Sequence, residues 1–162
     1  MRKLARALVL ILAAVLAAAG VAHAQQAVIV VRHGEKSSEK DERLTEAGHA
    51  RAGRLAVMLR DAGISAVYST DTERTIGTVK PLADLRKLPV QIYDRIDPMI
   101  AQIRKEHPND VVLVAGHTGT IPDILKALGC AGEFKTIPSD EYDNLFIVVP
   151  KGERAELVRL RY

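Results

Sequence analysis

The chain has 162 residues, 48% hydrophobic and 27% charged, which excludes a disordered or collagen-like chain and a large two-domain enzyme. Aromatics make up only 4%, tryptophan is absent and there is one cysteine, so base-stacking platforms, a disulfide framework and a cysteine-rich zinc site are excluded as well. The formal net charge of +3 suggests a polyanion or a membrane only until the charges are located.

Residues 1–24 open with Arg2, Lys3 and Arg6, continue through an uncharged apolar run from Ala7 to Val21, and end on Ala22-His23-Ala24. A basic start, an alanine- and leucine-rich middle and small residues at an A-x-A triplet predict a secretory signal peptide cleaved after Ala24. The expected setting is therefore secreted or periplasmic, in a bacterium. The apolar run falls short of the roughly 20 residues a spanning helix needs, so no stable membrane anchor is expected after cleavage. Subtracting those three cations from the 23 basic residues leaves 20, equal to the 20 acidic ones. Residues 25–162 then form one neutral domain, and no nucleic-acid partner is expected.

Within that domain, Ala27 to Val31 is a short β-branched run that predicts a buried strand. Thr45 is the expected cap of a helix whose apolar residues recur until Gly63. Ile64 to Ser69 predicts a second strand. A helix from Thr72 to about Leu85 follows, with Pro81 expected to kink or split it. Val90 to Tyr93 predicts a third strand. Pro98 to Glu106 predicts a helix capped by Asp97, with Pro98 at its first position.

Val111 to Ala115 predicts a fourth strand, and Ile121 to Leu128 a helix closed by Gly129. Leu145–Val149 and Ala155–Leu160 predict an antiparallel hairpin. Cys130 is expected to be a small buried residue near a helix end. This alternation predicts an α/β fold, a three-layer sandwich with a mostly parallel sheet and an antiparallel C-terminal hairpin.

In open α/β sheets, ligands bind beyond the carboxyl ends of the strands. Those ends carry Arg32-His33-Gly34-Glu35, then Ser69-Thr70-Asp71-Thr72-Glu73-Arg74, then Gly116-His117-Thr118-Gly119-Thr120. Two arginines and two histidines thus converge on one rim. Gly34, Gly116 and Gly119 flank the histidines, where backbone is expected to approach a bound group. Guanidinium forks match phosphate oxygens, and the helix starting near Thr120 offers an anion-binding end. No metal and no cofactor is expected, because two guanidinium groups would repel a cation. The partner expected is a small phosphorylated substrate. A neutral imidazole could attack phosphorus and split the transfer into two steps, with the cations stabilising the equatorial oxygens.

Val30-Val31-Arg32-His33-Gly34-Glu35 resembles the signature of the histidine phosphatase superfamily, the phosphoglycerate-mutase-like fold. The supporting pieces occur in family order: Leu44-Thr45-x-x-Gly48, Ser69-Thr70-Asp71 with Arg74, and Gly116-His117. The resemblance implies a metal-independent phosphatase acting on phosphomonoesters or phosphoramidates. It implies that His33 is the nucleophile through Nε2, its tautomer fixed by an Nδ1–H bond to a backbone carbonyl. Arg32, Arg74 and His117 would complete the phosphate pocket, with Thr118 beside them.

The sequence departs from the family in two ways. The glutamate that serves mutases and broad phosphatases as proton donor is missing, and the region reads Tyr93-Asp94-Arg95-Ile96-Asp97-Pro98. Because Asp97 is expected to cap a helix, Asp94 is the preferred acid, with Asp97, Glu35 and Asp71 left open. There is also no long insertion over the pocket, so an open site is expected. The runners-up are a phosphoglycerate-mutase-type phosphotransferase and a non-catalytic envelope phosphate-binding domain. Asp140-Glu141-Tyr142-Asp143 reads as a solvated loop, and the oligomeric state is not legible.

Overall fold

The computed structural model describes residues 26–38, 43–130, 132, 136–151 and 154–162. The predicted signal peptide lies outside them. Six strands form one sheet: β1 (Ala27–Arg32), β2 (Ile64–Ser69), β3 (Val90–Ile92), β4 (Val111–Gly116), β5 (Asn144–Lys151) and β6 (Arg154–Arg161). Their spatial order is β3-β2-β4-β1-β5-β6. The first four are mutually parallel, whereas β5 runs antiparallel to β1 and β6 antiparallel to β5. Helices α1 (Glu46–Leu59), α2 (Glu73–Arg86), α3 (Ile96–Glu106) and α4 (Ile121–Ala127) alternate with them. The α/β sandwich with its antiparallel C-terminal hairpin is thus the observed fold.

The continuous apolar strands are explained by burial on both faces. Along β1, Val28 and Val30 enter a core shared with Ile100 and Ile103 of α3 and Ile124 and Leu125 of α4. Ile29 and Val31 point the other way, among Leu55 and Leu59 of α1 and Val79 and Leu82 of α2. A period-2 backbone with a helix layer on each side has no polar face. Each such side chain contributes about 1.5–3 kcal/mol by leaving water.

Four local expectations change. Pro81 neither splits nor ends α2, which is continuous over its 14 residues; packing of Val79, Leu82 and Ala83 in the core outweighs the lost N–H donor. Asp97 does not cap α3. The cap is Arg95, in extended conformation and without a side-chain bond, which puts Asp97 in the first turn and Pro98 third. The third strand stops at Ile92, and the hairpin ladder runs beyond its predicted ends, to Lys151 and from Arg154. Thr45 does cap α1, accepting from the Gly48 amide. Cys130 is buried just past α4, as expected.

Candidate active site

Strand register brings the signature residues together. Arg32 lies opposite Gly116 across the parallel β1–β4 pair, so the residues that follow, His33 and His117, leave the sheet side by side. Ser69 lies opposite Ala115 on the other flank of β4, which delivers Thr70 to the same rim. Because β5 is antiparallel, Leu145 pairs with Val31, and the segment before β5 also ends there.

His33 is buried, with 4% of its surface exposed. Its Nδ1 is 2.7 Å from the Gly34 carbonyl oxygen. A carbonyl can only accept, so Nδ1 carries the proton and Nε2 keeps its lone pair. The main chain is held as well: the His33 amide donates to Gly116 O at 3.1 Å and the Gly34 amide to Thr78 Oγ1 at 2.8 Å. The imidazole pKa is pushed down to about 4. Burial is the largest cause, and the neighbouring Arg32, His117 and Arg74 add to it electrostatically, against the opposing Gly34 bond.

Arg32, 5% exposed, spends Nη1 on three carbonyls, those of Ser139 at 2.7 Å, Glu141 at 3.0 Å and Pro138 at 3.3 Å. Its Nε is buried and makes no hydrogen bond among the described residues. The edge of the fork left for an anion is therefore Nε–Nη2. Arg74, in the first turn of α2, places Nη2 3.4 Å from His117 Nδ1. Since a guanidinium only donates, His117 carries its proton on Nε2, which is 2.8 Å from Thr70 Oγ1. The two imidazole rings are tilted, with centroids 5.3 Å apart. Arg32, His33, Arg74 and His117 are thus brought to one rim, and Thr118 lies half-buried in the turn beside them.

The expected anion-binding end of α4 is not free. The amides of Thr120 and Ile121 both donate to His117 O and Pro122 has none, so the start of α4 is largely occupied by its own chain. Two of the glycines pack against protein, and the third borders open space. A Cβ on Gly34 would meet Gly48 backbone at 3.1 Å, one on Gly116 would meet Thr120 Oγ1 at 2.9 Å, and one on Gly119 would meet nothing within 4 Å.

The acid candidates separate. Glu35 is forked onto Arg51, with contacts of 2.6, 3.0 and 3.1 Å, and that bond holds its carboxyl below the usual range; it is a fixed anion. Asp71 is exposed in the loop before α2. Asp94 and Asp97 together line a cleft of about 610 Å³ shared with Thr70, Thr120, Asp123 and Lys126. This cleft adjoins His117 through Thr70.

Two features of the site were not expected from the sequence. Tyr142 lies with its ring 4.0 Å from the Arg32 guanidinium carbon and 5.9 Å, centroid to centroid, from His33. The only sequence signal was an aromatic shortly before a strand. A threonine set, Thr70, Thr75 and Thr78, carries the hydrogen bonds behind the rim.

Residues 28–97 match the model of the histidine phosphatase superfamily (branch 1). No curated protein matches the chain by sequence. A mycobacterial glucosyl-3-phosphoglycerate phosphatase, solved with VO3, is similar in structure at a TM-score of 0.65 and 14% identity, over 84% of this chain and 98% of that one. A phosphoserine phosphatase mutant from Entamoeba histolytica, in complex with phosphoserine, aligns at 0.63 and 11% identity over 82% and 95%. YhfR of Bacillus stearothermophilus aligns at 0.64 and 17% identity over 82% and 95%. These likenesses extend the fold across the part of the domain that the family match leaves uncovered.

Proposed function

We propose that this chain, a histidine phosphatase superfamily domain by its match over residues 28–97 and its fold, hydrolyses phosphomonoesters or phosphoramidates through a phosphohistidine on His33. The observation that carries the reading is the state of His33: buried, neutral, with Nδ1 tied to Gly34 O, so that Nε2 alone is left to react. In the first step Nε2 attacks phosphorus and the ester or amide bond breaks, its departing atom taking a proton from a carboxylic acid. In the second, water attacks the phosphohistidine, gives a proton to that carboxylate and releases phosphate and His33. Arg32, Arg74 and His117 hold charge on the non-bridging oxygens throughout.

We assign the acid to the Asp94–Asp97 pair. Both line the cleft beside Thr70, and without a capping role for Asp97 the reason for preferring Asp94 is gone. Asp94→Asn and Asp97→Asn separate them on alkyl phosphates, whose poor leaving groups need the proton, against phosphoramidates, which need it less. The leader-like pattern of residues 1–24 supports an exported enzyme, and N-terminal sequencing of the secreted form should start at Gln25.

The decisive experiment is rapid quenching without acid, followed by mass spectrometry. Phosphate on His33 is expected, together with abolished turnover in His33→Ala and indifference to chelators. Turnover of p-nitrophenyl phosphate with no adduct, or an adduct elsewhere, would overturn the mechanism. Tight phosphate binding without turnover between about pH 4 and 8 would instead mark a binding domain.

A further inference from the structure

The segment from Pro138 to Asp143 crosses the rim as a strap, and both of its ends are held. On the pocket side its carbonyls from Pro138, Ser139 and Glu141 take all the donors of Arg32 Nη1. On the far side Glu141 is bonded by Asn144 at 2.9 Å, Arg159 at 2.9 Å and Arg161 at 2.9 Å. Asp143 takes a second arm of Arg161 at 2.6 Å. The charged residues of β6 therefore clip the strap to the sheet, and Tyr142 is the residue between the two clipped carboxylates.

We propose that Tyr142 is a positioning residue of the phosphate pocket: its ring backs the Arg32 guanidinium, fixing the Nε–Nη2 edge toward the phosphate, and walls His33 from water. Two geometric observations support it, the 4.0 Å stack on Arg32 and the ring lying 5.9 Å from that of His33. A guanidinium pinned at Nη1 can still swing about its planar axis; a ring on one face removes that freedom, so less entropy is lost when an anion binds. The same ring replaces water beside His33, whose lowered basicity comes first from burial. The charged or titratable groups facing His33 are Arg32 from β1, Arg74 from α2, His117 from the turn after β4 and Tyr142 from the strap.

The proposal rests on the phosphatase reading only for its turnover readout, because binding of inorganic phosphate tests it separately. In calorimetry on the purified protein, Tyr142→Ala is expected to raise the Kd for inorganic phosphate about tenfold, within the range for losing a partly buried stacked cation. Tyr142→Phe keeps the ring on Arg32 and loses the hydroxyl's hydrogen bond to it, so its affinity should lie between those of Tyr142→Ala and wild type. In kinetics, the acidic limb of kcat/KM should move upward in Tyr142→Ala and stay in place in Tyr142→Phe. Should the alanine variant fail to fold, Tyr142→Leu keeps the volume and loses the π face. It should weaken phosphate binding and leave the limb in place. A folded Tyr142→Ala or Tyr142→Leu with wild-type phosphate affinity overturns the proposal, as does a wild-type protein that binds no phosphate. Wild-type phosphate binding without turnover would instead sink the phosphatase reading and leave the binding test of Tyr142 standing.

Discussion

His33 reacts, in the proposed mechanism, as a neutral imidazole, and its surroundings set how far into acid it stays neutral. An unperturbed histidine titrates at about 6.5 in model peptides, and burial beside Arg32, His117 and Arg74 carries this one to about 4. The acidic limb of kcat/KM, corrected for ionisation of the substrate, is therefore expected near pH 4 in this protein, because that limb reports the free enzyme. A limb near 6.5 would contradict the buried geometry. At this scale the sequence was informative where chemistry needs a residue type, at Arg32, His33, Arg74 and His117. It was silent about Tyr142, because nothing in Asp140-Glu141-Tyr142-Asp143 distinguishes a pocket wall from a solvated loop. It did not foretell that Gly34 is needed by protein packing, against the Gly48 backbone.

The elements show why some local signals held and others failed. Thr45 as the cap of α1 was legible because capping chemistry is local. The start of α3 was not, because Asp97 and Pro98 fit the first position in isolation while Arg95 and Ile96 already enter the helix. Pro81 does not split α2 for a related reason: propensity yields to packing when neighbours are buried. Pro81→Ala supplies the missing N–H and is expected to stabilise the protein by about 1 kcal/mol or more, visible as a raised Tm. The junction between α1 and the signature loop is far tighter. A Cβ on Gly48 would lie 2.4 Å from the Glu35 carbonyl oxygen, the same oxygen that accepts from the Thr45 amide at 2.9 Å. Gly48→Ala should thus cost about 1–3 kcal/mol in denaturant unfolding and lower kcat by shifting the loop that carries His33.

Across the whole molecule, one arginine joins parts far apart in the chain. Arg51 forks onto Glu35 beside the signature and donates to Tyr162 O at 2.9 Å, tying α1 to both the rim and the residue after β6. Glu35 titrates below its usual range because of that bond. Its contribution to stability is accordingly present above the unfolded value, about 4.3, and is lost as pH falls through the lower folded value. Arg51→Met should be less stable than wild type by about 1–2 kcal/mol at pH 7, allowing for partial exposure, and the deficit should close in acid. A constant deficit across pH would show that packing, not charge, is what Arg51 supplies. The alternation of strands and helices made the architecture readable in advance; long-range ties such as this one have no local pattern to read.

The reversed direction of β5 has a consequence for how such a domain can diversify. Parallel strands expose only their trailing loops at the rim, and those loops carry His33, Arg74 and His117, so under the proposed mechanism they tolerate little change. An antiparallel neighbour brings a leading loop to the same rim, free of His33, Arg74 and His117, its ties to the pocket confined to the Pro138–Asp143 strap on Arg32. Residues inserted between α4 and that strap would add to the rim while leaving the parallel core and its register untouched. That connection is the natural place to graft new selectivity onto this scaffold.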